Sequence, residues 1–170
     1  GSYGLHGTSN TQKDFLMTPD DEYYDYAHFE FIMRGIKKAM ERFPEKAESI
    51  NLGLHCETAE IMRAYTQIVQ KEGKLKGLRA YSAARPPHSE GLAIFIASYL
   101  ANETNCANIN LLHLTSAKAV DAAMMMQKVF PHINFKREVT LAHLLLDYDA
   151  GCGIHAKVNP PIRSREDVEY

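Results

Sequence analysis

Two histidines carry the first chemical possibility in this sequence. His55 lies near the end of the apolar run 50–56, and His113 near the end of a second run, 109–114. Neutral imidazoles at adjacent strand ends can converge on one divalent metal, although a histidine at a strand end also serves as a hydrogen-bonded structural residue. Glu57 stands two residues beyond His55. A carboxylate there either orients a ligand from behind or caps the helix that follows. His143 precedes the apolar run Leu144-Leu145-Leu146 and either packs beside it or faces a ligand. His6, His28, His88, His132 and His155 have no partner pattern and read as structural or solvated. The three cysteines, Cys56, Cys106 and Cys152, are odd in number, widely spaced and contain no CxxC pair. Neither a zinc ribbon nor a disulfide framework is indicated, and reduced thiols in the cytoplasm are expected. Cys56 reads as a buried, inert thiol.

The elements that must hold these residues follow from periodicity. Thr18-Pro19-Asp20-Asp21 is a helix start, and the helix is expected to run to about Phe43, before Pro44. Strands are expected near 50–55, 109–114, 133–139 and 154–158. Helices are expected from Glu57 or Thr58 to Gly73, over 89–102 and over 116–129, with Arg85-Pro86-Pro87-His88 an extended break. Phe29 with Tyr23, Tyr24 and Tyr26 reads as an aromatic face against the core or an oligomer contact, the core being favoured, and Met124, Met125 and Met126 as core filling. Arg163-Ser164-Arg165-Glu166-Asp167 reads as a solvated helix start.

Short strands alternating with helices imply an α/β fold of parallel βα units. The polar residues gather just after the strands, which is the active-site face of a (β/α)8 barrel. Such a barrel needs ~250 residues, so 170 supply part of one or form a smaller α/β fold. The length suits a single domain with a real core. A hydrophobic fraction of 45% and a net charge of -2 are ordinary, with no reason to expect nucleic acid or an anionic membrane as partner. No apolar run approaches the roughly 20 residues of a membrane helix. The polar, Gly-rich start is unlike a secretory signal.

The text around the histidines narrows these options. Leu54-His55-Cys56-Glu57 resembles the fifth-strand motif of dihydropyrimidinases, hydantoinases and dihydroorotases. Arg85-Pro86-Pro87-His88-Ser89-Glu90 resembles their arginine–proline–proline turn, and Leu112-His113-Leu114-Thr115-Ser116-Ala117 their sixth-strand metal motif. The stretch from Glu138 to Leu146 resembles the seventh-strand segment, with Thr140-Leu141-Ala142 where a cysteine–proline–histidine lead-in is usual. Ala156-Lys157-Val158-Asn159-Pro160-Pro161-Ile162-Arg163 is most similar to dihydroorotases. The five matches come in family order over roughly 50–167.

The resemblance implies a partial (β/α)8 TIM barrel of the metal-dependent amidohydrolase type, about strands 5–7 with their helices. Residues 1–17 are then a polar loop or an expression scar, 18–49 a divergent helical region, and 50–167 the family-like part. It implies that His55 and His113 ligate one metal of a binuclear centre, usually Zn2+, with Mn2+ or another divalent ion as substitute. It implies hydrolysis of a cyclic amide or ureide by hydroxide generated at the metals. Asn159 matches a substrate-ring position, and Tyr3 a substrate-contacting tyrosine. The family's His-x-His pair, bridging lysine or acid, and eighth-strand aspartate have no counterpart here, so the isolated chain is expected to be inactive. A small cyclic amide, and a second copy or a complementary chain segment, are the expected partners. The resemblance also allows a non-catalytic homologue serving as an assembly scaffold.

Overall fold

A computed structural model of the chain describes residues 2–4 and 26–170. At its centre lies a parallel sheet of β1 (Ser2–Gly4), β2 (Leu52–His55), β3 (Asn108–Leu111) and β4 (Asn134–Arg137), in the order β1-β2-β3-β4. Strands adjacent in sequence are adjacent in space and all run one way. That is the winding of a (β/α) barrel; a doubly wound sheet reverses its strand order at a switch point.

Side chains alternate across a strand, so each register row belongs to one face. The row Leu52–Ile109–Phe135 is apolar and buried, and Leu54–Leu111 continues it. This face packs against α1 (Tyr26–Arg42), α4 (Pro87–Thr104) and α5 (Ala117–Val129). Phe29 and Met33 of α1 enter the same core, with Ala93 and Ala97 of α4 and Ala119 and Ala123 of α5. The alanines let helix backbones approach one another closely; at Gly91 an added Cβ would stand 3.7 Å from the Lys118 carbonyl oxygen. The intervening row Gly53–Asn110–Lys136 faces the other way and carries no large apolar side chain.

Local chemistry sets the helix limits. Between β2 and α4 in the chain lie α2 (Ala59–Glu72) and α3 (Gly77–Ala84). α2 stops at Gly73, whose φ of 62° is left-handed, the conformation glycine adopts most readily. Arg85 and Pro86 separate α3 from α4, and Pro87 occupies the first turn of α4. Two short helices close the chain, α6 (Leu141–Leu145) and α7 (Arg165–Glu169). The hydroxyls of Ser116, Thr140 and Ser164 cap α5, α6 and α7. Among the described residues, no helix is long and apolar enough to cross a membrane.

Several expectations change. The stretch 154–158 is no strand: Gly153–Ala156 forms a 3-10 turn. Gly151 and Gly153 at φ 72° and 53° turn the chain out of any extended path, and Ile154 lies on the surface. The strand missing there is replaced by Ser2–Gly4, inside the supposed polar loop. β3 and β4 are shorter than expected, and Glu138 to Leu146 continues into α6 rather than a strand. α3 was not anticipated. The expected helix start at Thr18, with Tyr23 and Tyr24, lies outside the described residues; Phe29 is buried and Tyr26 is exposed. Met124 and Met125 are also exposed, because α5 buries only its alanine stripe.

Candidate functional site

The register places His55 and His113 together. Leu54 pairs with Leu111, and the Leu112 amide donates to the Leu54 carbonyl at 3.1 Å. His55 thus ends β2, and His113 stands two residues past β3, at the carboxyl ends of adjacent parallel strands. His113 adopts a φ of 39°, unusual for a side-chain-bearing residue and a strained conformation of the kind that concentrates at functional sites. The two rings meet edge to face with centroids 4.6 Å apart. Nδ1 of His55 lies 3.0 Å from Nε2 of His113.

Behind this pair runs a charged relay. His55 Nε2 is 2.8 Å from Oε2 of the fully buried Glu57. Arg85 grips the same carboxylate with both arms of its fork, Nε to Oε1 at 3.0 Å and Nη2 to Oε2 at 2.7 Å. Burial alone would raise the Glu57 pKa, but the hydrogen bonds and charges of His55 and Arg85 outweigh it and bring it down to about 2. Glu57 is therefore a carboxylate and accepts the proton on His55 Nε2. With Nε2 directed to Glu57, the other His55 ring nitrogen, Nδ1, faces His113. Burial and the neighbouring His55 push His113 down to about 4, so it is uncharged near neutrality. Its Nδ1 is buried without a hydrogen-bond partner.

The spacing of His55 Nδ1 and His113 Nε2 fits a cation between the rings. Two nitrogens bound to one tetrahedral zinc at ~2.0–2.1 Å sit roughly 3.3 Å apart, close to what the rings present. Among the described residues, no group of three or more His, Cys, Asp or Glu side chains gathers to hold a metal ion. Glu57 spends its carboxylate on His55 and Arg85, while Thr58 takes the N-cap position of α2.

The other candidates lie elsewhere. His143 is buried, with Nδ1 2.8 Å from the Thr140 hydroxyl and Nε2 3.0 Å from the Pro160 carbonyl, so both ring nitrogens are spent within the chain. Burial lowers its pKa. Asn159 is exposed and accepts from the Tyr81 hydroxyl, in a groove that Arg85 also lines. The Tyr3 backbone pairs with Leu54 in β1; its side chain lies outside the described part. Cys56 is buried and its thiol pKa is raised, first by burial and then by Glu90 and Glu57.

A second buried ion pair was not foreseen. Glu90 and Arg163 are almost fully enclosed and meet at 3.0 Å. Arg163 also donates from Nε to Thr115 Oγ1 at 3.0 Å and from Nη1 to the Ser82 and Arg85 carbonyls. Thr115 itself donates to Glu90. Read as part of a solvated helix start, Arg163 is instead only 2% exposed. The adjoining Pro160-Pro161-Ile162, buried beside it, was the signal available for this.

A one-way parallel sheet with an imidazole pair at its carboxyl edge is consistent with a segment of a (β/α) barrel. Comparison with known proteins makes this specific. No family model matches the chain. It is 35% identical over 126 residues to an allantoinase of Desulfitobacterium hafniense, covering 72% of this chain and 27% of that protein. It is 31% identical over 129 residues to an allantoinase of Solibacter usitatus. The chain thus spans about a quarter of the length of the curated relatives it matches. Among solved structures, the L-hydantoinase of Arthrobacter aurescens superposes with a TM-score of 0.77 at 20% identity, over 99% of this chain and 33% of that one. The D-hydantoinase of a Thermus species gives 0.73, also at 20% identity. Over most of its length the chain is similar in sequence to a segment of allantoinases, and its fold is that of the corresponding part of hydantoinases.

Proposed function

We propose that this chain carries part of a hydrolytic site that opens the ring of a cyclic ureide of the hydantoin or allantoin type. The observation that supports it most is the meeting of His55 Nδ1 and His113 Nε2 at 3.0 Å at the ends of adjacent parallel strands. The sequence likeness to allantoinases favours a five-membered ureide over the dihydroorotate suggested by the Asn159-Pro160-Pro161 stretch. In such a reaction the oxygen of water adds to a ring carbonyl carbon. The C–N bond then breaks, the nitrogen takes up a proton, and a ureido carboxylate leaves, one water being consumed per ring.

The residues of this chain prepare that step. Arg85 fixes Glu57, and Glu57 orients the His55 ring, so that Nδ1 faces His113. The depressed pKa of His113 keeps its ring neutral. A divalent cation, zinc or manganese, would be held by His55 Nδ1 and His113 Nε2 and would supply Lewis-acid polarisation of water and carbonyl. Asn159 is proposed to hydrogen-bond the ring. A second copy of the chain, or a complementary segment, is proposed to complete the sheet.

Zinc titration of the chain, followed through histidine ring 15N shifts, tests the site. His55 Nδ1 and His113 Nε2 are expected to respond together, and His113→Asn to abolish the response. Shifts confined to other histidines would remove the site. Ring opening is tested in a chimera, the Desulfitobacterium allantoinase carrying residues 50–167 in place of its own segment. A chimera that folds and binds zinc yet opens neither allantoin nor hydantoin would overturn the activity and leave the scaffold role.

A further inference from the structure

Beside the relay lies a groove of about 1070 Å³ between α2, α3 and the 153–159 turn. Its charged lining residues are Arg63, Arg85 and Lys157, with no acidic residue among the described ones. Elsewhere several surface cations sit opposite carboxylates, Arg34 on Glu30, Lys37 on Glu41, Arg79 on Asp149 and Arg165 on Glu169, whereas no carboxylate among the described residues lines this groove. The lining also departs from a chain whose net charge is -2. Arg85 is neutralised by Glu57 from behind. Arg63 and Lys157 form no ion pair among the described residues.

The groove also concentrates these cations. Lys157 Nζ stands 4.9 Å from the centre of the Tyr81 ring and the Arg85 guanidinium 5.4 Å from it, so one aromatic ring collects two positive groups. Burial raises the Tyr81 pKa, and its hydroxyl stays a donor, directed to Asn159 Oδ1. With that oxygen occupied, Asn159 offers the groove its amide N–H groups. The functional groups at this end are thus N–H donors and unpaired positive charge, over an apolar floor that includes Leu78. Such a set is complementary to an acceptor-rich anion with a small carbon skeleton.

We propose that this groove is a carboxylate-binding site, with Lys157 and Arg63 as its charged contacts and Asn159 as a hydrogen-bond donor, and that it takes a ureido carboxylic acid. The carboxylate part stands on the groove alone. The ureido part rests on the ring-opening reading above, because hydrolysis of a cyclic ureide yields such an acid. Lys157 and Arg63 then determine retention of the product, or of a substrate carrying its own negative group.

The test uses the whole chain without metal, so that it is independent of the histidine pair. N-carbamoylglycine is titrated while amide and lysine Nζ resonances are followed, with acetate and neutral hydantoin as parallel probes. Saturable shifts centred on Lys157, Arg63 and Asn159 are expected. Lys157→Gln and Arg63→Gln should each weaken binding about three- to tenfold, as loss of one charge-assisted contact at a partly exposed site does. Lys37→Gln, remote from the groove, should leave it unchanged. Binding of N-carbamoylglycine and acetate with equal affinity would keep the carboxylate site and overturn the ureido assignment. Absence of saturable shifts, hydantoin binding as tightly as the acid, or indifference to both substitutions would overturn the site itself. None of these results depends on whether zinc binds at His55 and His113, so the two proposals fail separately.

Discussion

Two buried glutamate–arginine pairs lie close together in this molecule and do different things. Glu90–Arg163 is sealed: both side chains are nearly inaccessible, and the guanidinium is used up on Glu90, Thr115, Ser82 and the Arg85 carbonyl. It ties α3, α4, the end of β3 and the 160s segment into one block. Glu57–Arg85 has the same chemistry, yet one carboxylate oxygen is shared with His55, whose other nitrogen points outward to His113. One pair ends in structure and the other ends at the facing rings of His55 and His113. Electrostatics separates them as well. Burial prevails at Glu90, raising its pKa, whereas hydrogen bonds and charge prevail at Glu57. The difference shows that burial of an ion pair says little about its role; what its last hydrogen bond touches says more.

The comparison is broken most severely at the sealed pair. Arg163→Met leaves Glu90 enclosed without its cation, and a loss of about 3–5 kcal/mol in unfolding free energy is expected by urea denaturation. The double replacement Glu90→Met with Arg163→Met should recover most of that loss. If the double variant is no better than the single, the stabilising contribution lies in the contacts of Arg163 to Ser82 and Thr115.

The open pair should show itself in ligand affinity. Glu57→Gln is expected to weaken zinc binding about 10- to 100-fold by calorimetry, because the His55 ring is then no longer oriented by a carboxylate. Equal affinity in wild type and variant would place Glu57 with Glu90 as a purely structural group.

Acidification separates the pairs through their signs. His113 has a folded pKa below its ordinary value of 6.5, so its stabilising contribution is full above 6.5 and is lost as pH falls toward about 4. Glu57, depressed below its ordinary 4.5, contributes above that value and loses its contribution only as pH falls toward about 2. Glu90, raised, works in the opposite direction: its charged form costs stability above the ordinary carboxylate range. Thermal melts should therefore show a loss on the order of 1–2 kcal/mol between pH 6.5 and 4, after allowance for solvent screening. His113→Asn, a residue that tolerates positive φ, should flatten that limb. A limb unchanged in the variant would assign the loss to other groups.

The smallest effect sets the baseline for both pairs. Lys37 and Glu41 meet at 3.0 Å on exposed α1. Lys37→Ala should change stability by less than about 0.5 kcal/mol. A larger change would mean that exposed pairs matter here more than solvent screening allows.

The sequence by itself determined the local part of this protein. Alternation and helical spacing located β2, β3, β4, α2, α4 and α5, because each reflects which side chains leave water. The glycine at 73 and the prolines near 86 marked where helices stop, since φ preference is a property of the residue. The residue types at 55 and 113 already stated what chemistry was available. What only the tertiary structure decided was partnership. Glu90 and Arg163 are separated by 73 positions, and nothing local says that they share one enclosed site. Arg163 therefore looked like one more solvated cation. Ser2–Gly4 became a strand because the edge of β2 supplied hydrogen bonds, not because three small or polar residues favour extension. The stretch 154–158 lost its strand because two glycines turned it away from the sheet. Met124 and Met125 lie in water because the alanine face of α5 had already filled the contact with α4. Whether His55 and His113 would face each other depended on the register of Leu54 with Leu111. Register is chosen by the packing of a whole sheet face, and a single-residue slip would have turned both rings away.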